Sequence, residues 1–146
     1  MPRLVRIAAI LAAGLAWSSL SPRGFALGQS VFVQQGDEVI ESAEAKSRLD
    51  KGALFLDARP LDFWKMSHIP GSLSLPEEDF DRAFGALEPR LRQTYNIVVY
   101  CSGYGCEASH VVARKLREKG VHAAILNEGW PAWNDAGYPV TTGDKP

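Results

Sequence analysis

At 146 residues the chain has room for one domain with one sizeable core, and its 46% hydrophobic and 23% charged residues exclude global disorder. A formal net charge of -1 offers no excess of cations to hold a polyphosphate backbone, which argues against nucleic-acid binding. The 2 cysteines and 3 scattered histidines are too few for a disulfide scaffold or an all-cysteine zinc site, so no metal or cofactor is expected.

Residues 1–30 differ from the rest. Arg3 and Arg6 make a basic start, Ile7 to Trp17 an apolar run, and Ser18, Ser19, Ser21 and Pro22 a small, polar exit. That order describes a secretory signal peptide, with Gly24-Phe25-Ala26 placing small residues at both positions a signal peptidase inspects. The run is shorter than the roughly 20 residues of a spanning helix. Export to the periplasm or outside the cell is therefore expected. The alternative is an uncleaved membrane anchor through residues 4–20 with Arg3 and Arg6 on the cytoplasmic side. Both put the cysteines outside the reducing cytoplasm. Gln29 to Gly36 reads as a linker and residues 36–146 as one domain.

Strand and helix signals then alternate. Val39-Ile40 is a short strand, and Ser42 opens a helix over Ala43 to Leu49 that stops before Gly52. Ala53 to Leu56 is an apolar run of strand length, ended by Asp57; Leu61 to Met66 reads as a short helix. Ser72 to Leu75 alternates with period two and stops at Pro76, and Glu77 to Leu87 reads as a helix with an acidic first turn. Ile97-Val98-Val99-Tyr100 is the clearest strand, uncharged and rich in β-branched residues, which suits burial on both faces of a parallel sheet. Ala108, Val111, Val112 and Leu116 then fall on one face of a helix, with Arg114, Lys115, Arg117 and Glu118 outside it and Gly120 at its end. Val121 to Leu126 is a last strand and Trp130 to Ala136 a last helix. Strands separated by helices imply an α/β domain: a parallel sheet of about five strands with helices on both faces.

Ligands of such sheets bind beyond the carboxyl ends of the strands. Cys101 leaves the clearest strand there, and Ser102-Gly103-Tyr104-Gly105-Cys106 turns the chain toward the next helix. Two glycines let the backbone bend so that amides point inward, and the helix adds its positive end. A thiol so placed has its pKa lowered, and the same dipoles would hold a persulfide anion. On these residues alone, Cys101 also fits a buried small hydrophobe, and the loop also fits the anion cradle of a phosphatase or arsenate-type site.

The sequence resembles the rhodanese family of sulfurtransferases from Glu38 to about Gly143. Leu56-Asp57-Ala58-Arg59 resembles the family's Asp-x-Arg segment, and Ser67-His68-Ile69-Pro70-Gly71-Ser72 its His-Ile-Pro-Gly-Ala turn. Val98-Val99-Tyr100-Cys101 resembles the strand entering the catalytic cysteine. Glu128-Gly129-Trp130-Pro131-Ala132-Trp133 and Ala136-Gly137-Tyr138-Pro139-Val140 resemble the close of the domain. The resemblance implies that Cys101 takes sulfur from thiosulfate or a persulfide, holds it as Cys-S-S⁻, and passes it to cyanide, a thiol or a partner protein. It makes Ser102, Gly103, Tyr104, Gly105 and Cys106 the substrate-binding loop, whose six-residue length from Cys101 suits sulfur rather than phosphate. The chain departs from the family in having no Arg or Lys in the loop, in Glu107 after it, and in Glu128-Gly129 where Gly-Gly is usual. The Glu107 carboxylate would repel dianionic thiosulfate unless it points away.

Cys106 fits two roles, a resolving thiol that attacks the Cys101 persulfide or a packed residue at the helix start. Asp57 and Arg59 are expected to pair and fix loops at the pocket rim. His68 is expected to bond a loop rather than act as a base, and His110 to be structural or exposed. Trp64, Trp130 and Trp133 read as core and rim aromatics, and Tyr104 as a candidate contact for the acceptor. Besides the sulfurtransferase, two further readings stand: a dithiol/disulfide relay through Cys101 and Cys106, and a binding domain without catalysis.

Overall fold

The structure is a computed structural model that describes residues 36–146. The expected export segment, residues 1–30, lies outside the described residues. Five strands, β1 (Val39–Ile40), β2 (Leu54–Asp57), β3 (Leu73–Ser74), β4 (Ile97–Tyr100) and β5 (Ala124–Leu126), form one sheet in the order β1-β5-β4-β2-β3. Every pairing is parallel, with Asp57 opposite Tyr100 and Val99 opposite Ile125. The expected α/β fold with about five parallel strands is the one observed. All strands therefore deliver their carboxyl ends to one edge.

Five helices complete the domain: α1 (Ser42–Asp50), α2 (Leu61–Met66), α3 (Phe80–Leu91), α4 (Ala108–Glu118) and α5 (Gly129–Asp135). Alternate strand residues point to opposite faces, which divides the core. Leu54, Leu56, Ile97 and Val99 pack with Phe80, Phe84 and Leu91 of α3 and Val112 and Leu116 of α4. Phe55, Val98, Tyr100 and Leu126 pack on the other face with Ala45 of α1 and Trp133 of α5. β2 and β4 are buried throughout. Each such aliphatic or aromatic side chain contributes about 1.5–3 kcal/mol, so the central pair fixes the sheet.

Several boundaries differ from expectation, each for a local reason. Glu77–Asp79 forms a 3-10 turn, and α3 runs from Phe80 to Leu91, past Leu87 and through Pro89. The hydrogen bond Pro89 forgoes would reach Gly85, and both residues are exposed, so water meets the orphaned carbonyl. The last strand begins at Ala124 and not Val121, because the Val121 amide donates to the Leu116 carbonyl at 2.9 Å and closes the end of α4. Gly120 supports that closure with φ 78°. The inward face of α4 includes Ser109, His110 and Ala113 as well as Val112 and Leu116, while Val111 is only half-buried. His110 is buried, so of its two expected states the structural one holds. Its Nδ1 lies 3.6 Å from Asp37, which also accepts from Arg117 at 2.8 Å.

Candidate active site

Cys101 stands where β4 ends, in the middle of the sheet's carboxyl edge, and is 2% exposed. The loop after it turns as its glycines allow, Gly103 with φ 122° and Gly105 with φ 77°. The Cys106 amide donates to the Gly103 carbonyl at 3.1 Å. This brings Cys106 back to Cys101, and the two are joined in a disulfide with their Cα atoms 6.5 Å apart.

The sequence led us to expect a sulfur among inward loop amides and a helix end, with Cys106 either a resolving thiol or a packed residue. In the structure the sulfur is bonded to Cys106, and its polar neighbours are Ser109 Oγ, which donates at 3.5 Å, and the Cys106 carbonyl at 3.5 Å. Ser109 lies in the first turn of α4, so the positive end of that helix faces the sulfur. Of the loop amides and helix end expected around the sulfur, the helix end is the one against it. The apolar side of Cys101 packs with Leu56, Ala58 and Val99.

Two residues brace the loop that the motifs did not single out for that role. The Trp130 amide donates to the Cys101 carbonyl at 2.8 Å. Gly129, with φ 61°, is so close that an added Cβ would sit 2.5 Å from the Cys101 carbonyl oxygen and 2.6 Å from the Gly103 nitrogen. Only glycine fits. The signal was in the sequence, as the second position of Glu128-Gly129, but its meaning is a contact between distant backbones. Tyr104, at the exposed loop tip, donates to Glu128 Oε1 at 2.8 Å. The other Glu128 oxygen accepts from the Ser42 amide at 3.2 Å. The Tyr104 hydroxyl, against the opposing cost of burial, and then the Ser42 amide hold the Glu128 carboxyl below its ordinary value. The same bond raises the Tyr104 phenol.

Asp57 and Arg59 pair as expected, both buried, with Nε to Oδ1 at 2.9 Å and Nη2 to Oδ2 at 2.6 Å. Arg59 Nη2 also donates to the Ser67 carbonyl at 2.8 Å, and the guanidinium lies over Trp130 at 4.7 Å and Tyr100 at 5.5 Å. Burial lowers the Arg59 pKa, and the Asp57 bond and charge outweigh that to raise it. Burial, then the Asp57 charge, push the Tyr100 phenol far above its usual range. The Arg59 fork is thus engaged with Asp57 and Ser67, not turned to the cysteines. His68 is fully buried, its Nδ1 2.7 Å from the Trp64 carbonyl and its Nε2 3.1 Å from the Lys145 carbonyl. It ties the chain's end to the loop after α2. Trp64 and Trp133 are core residues, and Trp130 is the rim aromatic.

A cavity of about 200 Å³ lies at the opposite edge of the sheet, lined by Arg48, Tyr95, Arg117 and His122 among others. None of the residues described around Cys101 lines it. Among the described residues no helix is long and apolar enough to cross a membrane.

A parallel α/β sheet that presents one cysteine at the entrance to a six-residue strand-to-helix loop defines the class of the protein. A family model, the Rhodanese-like domain, matches residues 41–136, and the chain belongs to that family. It is 31% identical over 109 residues to an HTH-type transcriptional regulator of Mycobacterium tuberculosis, covering 73% of this chain and 46% of that one. It thus spans about half the length of that curated relative. The rhodanese-like domain of an Anabaena protein is 27% identical, with TM-score 0.61 over 73% of this chain and 80% of that one. A Pseudomonas aeruginosa thiosulfate sulfurtransferase shares the fold at 23% identity, with TM-score 0.59 over 75% of this chain and 21% of that one.

Proposed function

We propose that the protein is a sulfurtransferase whose Cys101 carries sulfane sulfur. The observation that carries this reading is the position of Cys101, at the carboxyl end of the central strand with the first turn of α4 against its sulfur. A positive helix end favours the thiolate and then the persulfide anion. Reduction of the Cys101–Cys106 disulfide by a dithiol frees both sulfurs. The Cys101 thiolate attacks the outer sulfur of a donor. That sulfur's bond to its carrier breaks, releasing sulfite from thiosulfate or a thiolate from a persulfide. The terminal sulfur of Cys101-S-S⁻ then passes to cyanide or a thiol, and the Cys101 thiolate returns.

The disulfide favours a second step within this reading. Cys106, as thiolate, attacks the inner sulfur of the Cys101 persulfide. The Cys101–Cys106 bond forms, the sulfur–sulfur bond of the persulfide breaks, and hydrogen sulfide leaves. An external dithiol resets the pair. The protein would then be a thiol-driven relay with a reducing partner.

Turnover tests the first claim. Reduced protein given a persulfide or thiosulfate and cyanide should form thiocyanate, and folded Cys101→Ser protein should form none above background. Equal rates for the two would end the proposal. We also take residues 1–30 as an export signal, in preference to an anchor through residues 4–20, on the basis of the short apolar run. N-terminal sequencing of the mature protein should then begin near Leu27.

A further inference from the structure

Glu128 stands where relatives are expected to carry a glycine, and it does not swing freely. Its backbone touches the cysteine loop: a Cβ added to Gly103 would lie 3.4 Å from the Glu128 carbonyl, and Gly129 abuts Cys101 itself. Both carboxylate oxygens are held, one by the Tyr104 hydroxyl at 2.8 Å and one by the Ser42 amide at 3.2 Å. Ser42 opens α1, so a helix N-terminus fixes the charge from one side and the loop tip from the other. No cation offsets it within the loop, which has neither Lys nor Arg, and Glu107 follows the loop exposed. The nearby guanidinium of Arg59 is spent on Asp57. A substrate approaching Cys101 past Tyr104 meets the held Glu128 carboxylate, with the Glu41 side chain beside it.

We propose that Glu128 is a specificity-determining residue that disfavours dianionic sulfur donors and leaves persulfides on carriers of low net charge unhindered. The inference rests on the reading of Cys101 as the sulfur acceptor. Thiosulfate approaches with two negative charges. The perthiolate of cysteamine persulfide is balanced by its own ammonium. One charge against two across about 8 Å of water changes a rate about fivefold.

The test measures loading of the reduced full-length protein as initial release of sulfite from thiosulfate or of cysteamine from its persulfide. Both leaving groups depart before Cys106 acts. Glu128→Gln keeps the size and an acceptor for Tyr104 but removes the charge. It should raise the thiosulfate rate about fivefold at low salt and change the cysteamine persulfide rate less than twofold. In the unaltered protein, raising salt from about 0.01 M to about 1 M, which shortens the Debye length from about 30 Å to about 3 Å, should close most of the same gap. Tyr104→Phe frees the carboxylate but keeps it charged, and should give a smaller gain. If Glu128→Gln alters neither rate, or both equally, Glu128 is only a brace for the loop and the inference fails. If the unaltered protein loads from neither donor, it is the assignment of Cys101 that fails.

Discussion

Removing Asp57 would strand Arg59, which is 4% exposed and has its fork committed to that carboxylate. An uncompensated buried charge costs about 3–5 kcal/mol, whereas an exposed ion pair of the same length is worth about 0–1. Asp57→Ala is therefore expected to lower unfolding free energy by about 3–5 kcal/mol in urea titrations, and a loss below about 1 would show that the pair is not structural. At Glu128 the acid-side behaviour follows from the depressed carboxyl. Its stabilising bonds are present above the ordinary value of 4.5 and are lost as pH falls through the lower folded value. By NMR titration, Glu128 should titrate below 4.5 and move back toward that value in Tyr104→Phe. An unchanged titration would detach Glu128 from Tyr104. Cys106 yields a third expectation. Reduced protein loaded with one sulfur should release sulfide and close its disulfide, while Cys106→Ser should keep the persulfide; equal sulfide release from both would remove Cys106 from the chemistry.

The pairing of Asp57 with Arg59 and the structural use of His68 were readable from sequence, since one is a short-range charge pair and the other a lone histidine in a turn motif. The Lys145 carbonyl that meets His68 was not readable, being 77 residues away along the chain. Neither was the neighbourhood of the Cys101 sulfur. The residues predicted a bend and a nearby helix end. They did not predict that Ser109, a polar residue among the apolar positions of α4, would be the group turned toward the sulfur.

Among the elements, α4 and the turn into α5 do the positioning. α4 brings a helix end to the sulfur, and the 128–130 turn holds the loop's backbone through Gly129 and Trp130. Gly129→Ala would force a Cβ to 2.5 Å from the Cys101 carbonyl in a backbone region that alanine rarely adopts. Strain of this kind costs about 1–3 kcal/mol. The expected result is a lower melting temperature together with a changed rate of thiol–disulfide exchange at Cys101, since the clash falls on the loop itself. An unchanged melting temperature and exchange rate would show that the turn does not brace the loop. Element identity was legible wherever periodicity was strong, as in β4 and α4. Boundaries were less so, because they depend on what surrounds the chain. The helix expected to close at Leu87 continues to Leu91, because the bond that Pro89 forgoes faces water.

At the scale of the whole molecule, the order β1-β5-β4-β2-β3 places β4 between β5 and β2, so the cysteine emerges at the centre of the carboxyl edge. The pattern of alternating strands and helices predicted a parallel sheet, but not which strand would lie centrally. That is decided by burial, since β2 and β4 are buried along their whole length. The motifs pointed to Cys101 as the candidate site, and the topology sets it beyond the strand ends, where ligands of such sheets bind. The closed cysteine pair adds a condition that topology alone does not supply: under the proposed function, a reductant must open it before the sulfur can act.

The mass of Cys101 after sulfur loading tests that account most directly. Protein reduced with a dithiol, freed of reductant without oxygen and incubated with cysteamine persulfide should gain one sulfur atom on the peptide containing Cys101 in the Cys106→Ser form. The unreduced protein and the Cys101→Ser form should gain none. A folded, reduced protein that takes up no sulfur at Cys101, or takes it up with the disulfide intact, would contradict the account.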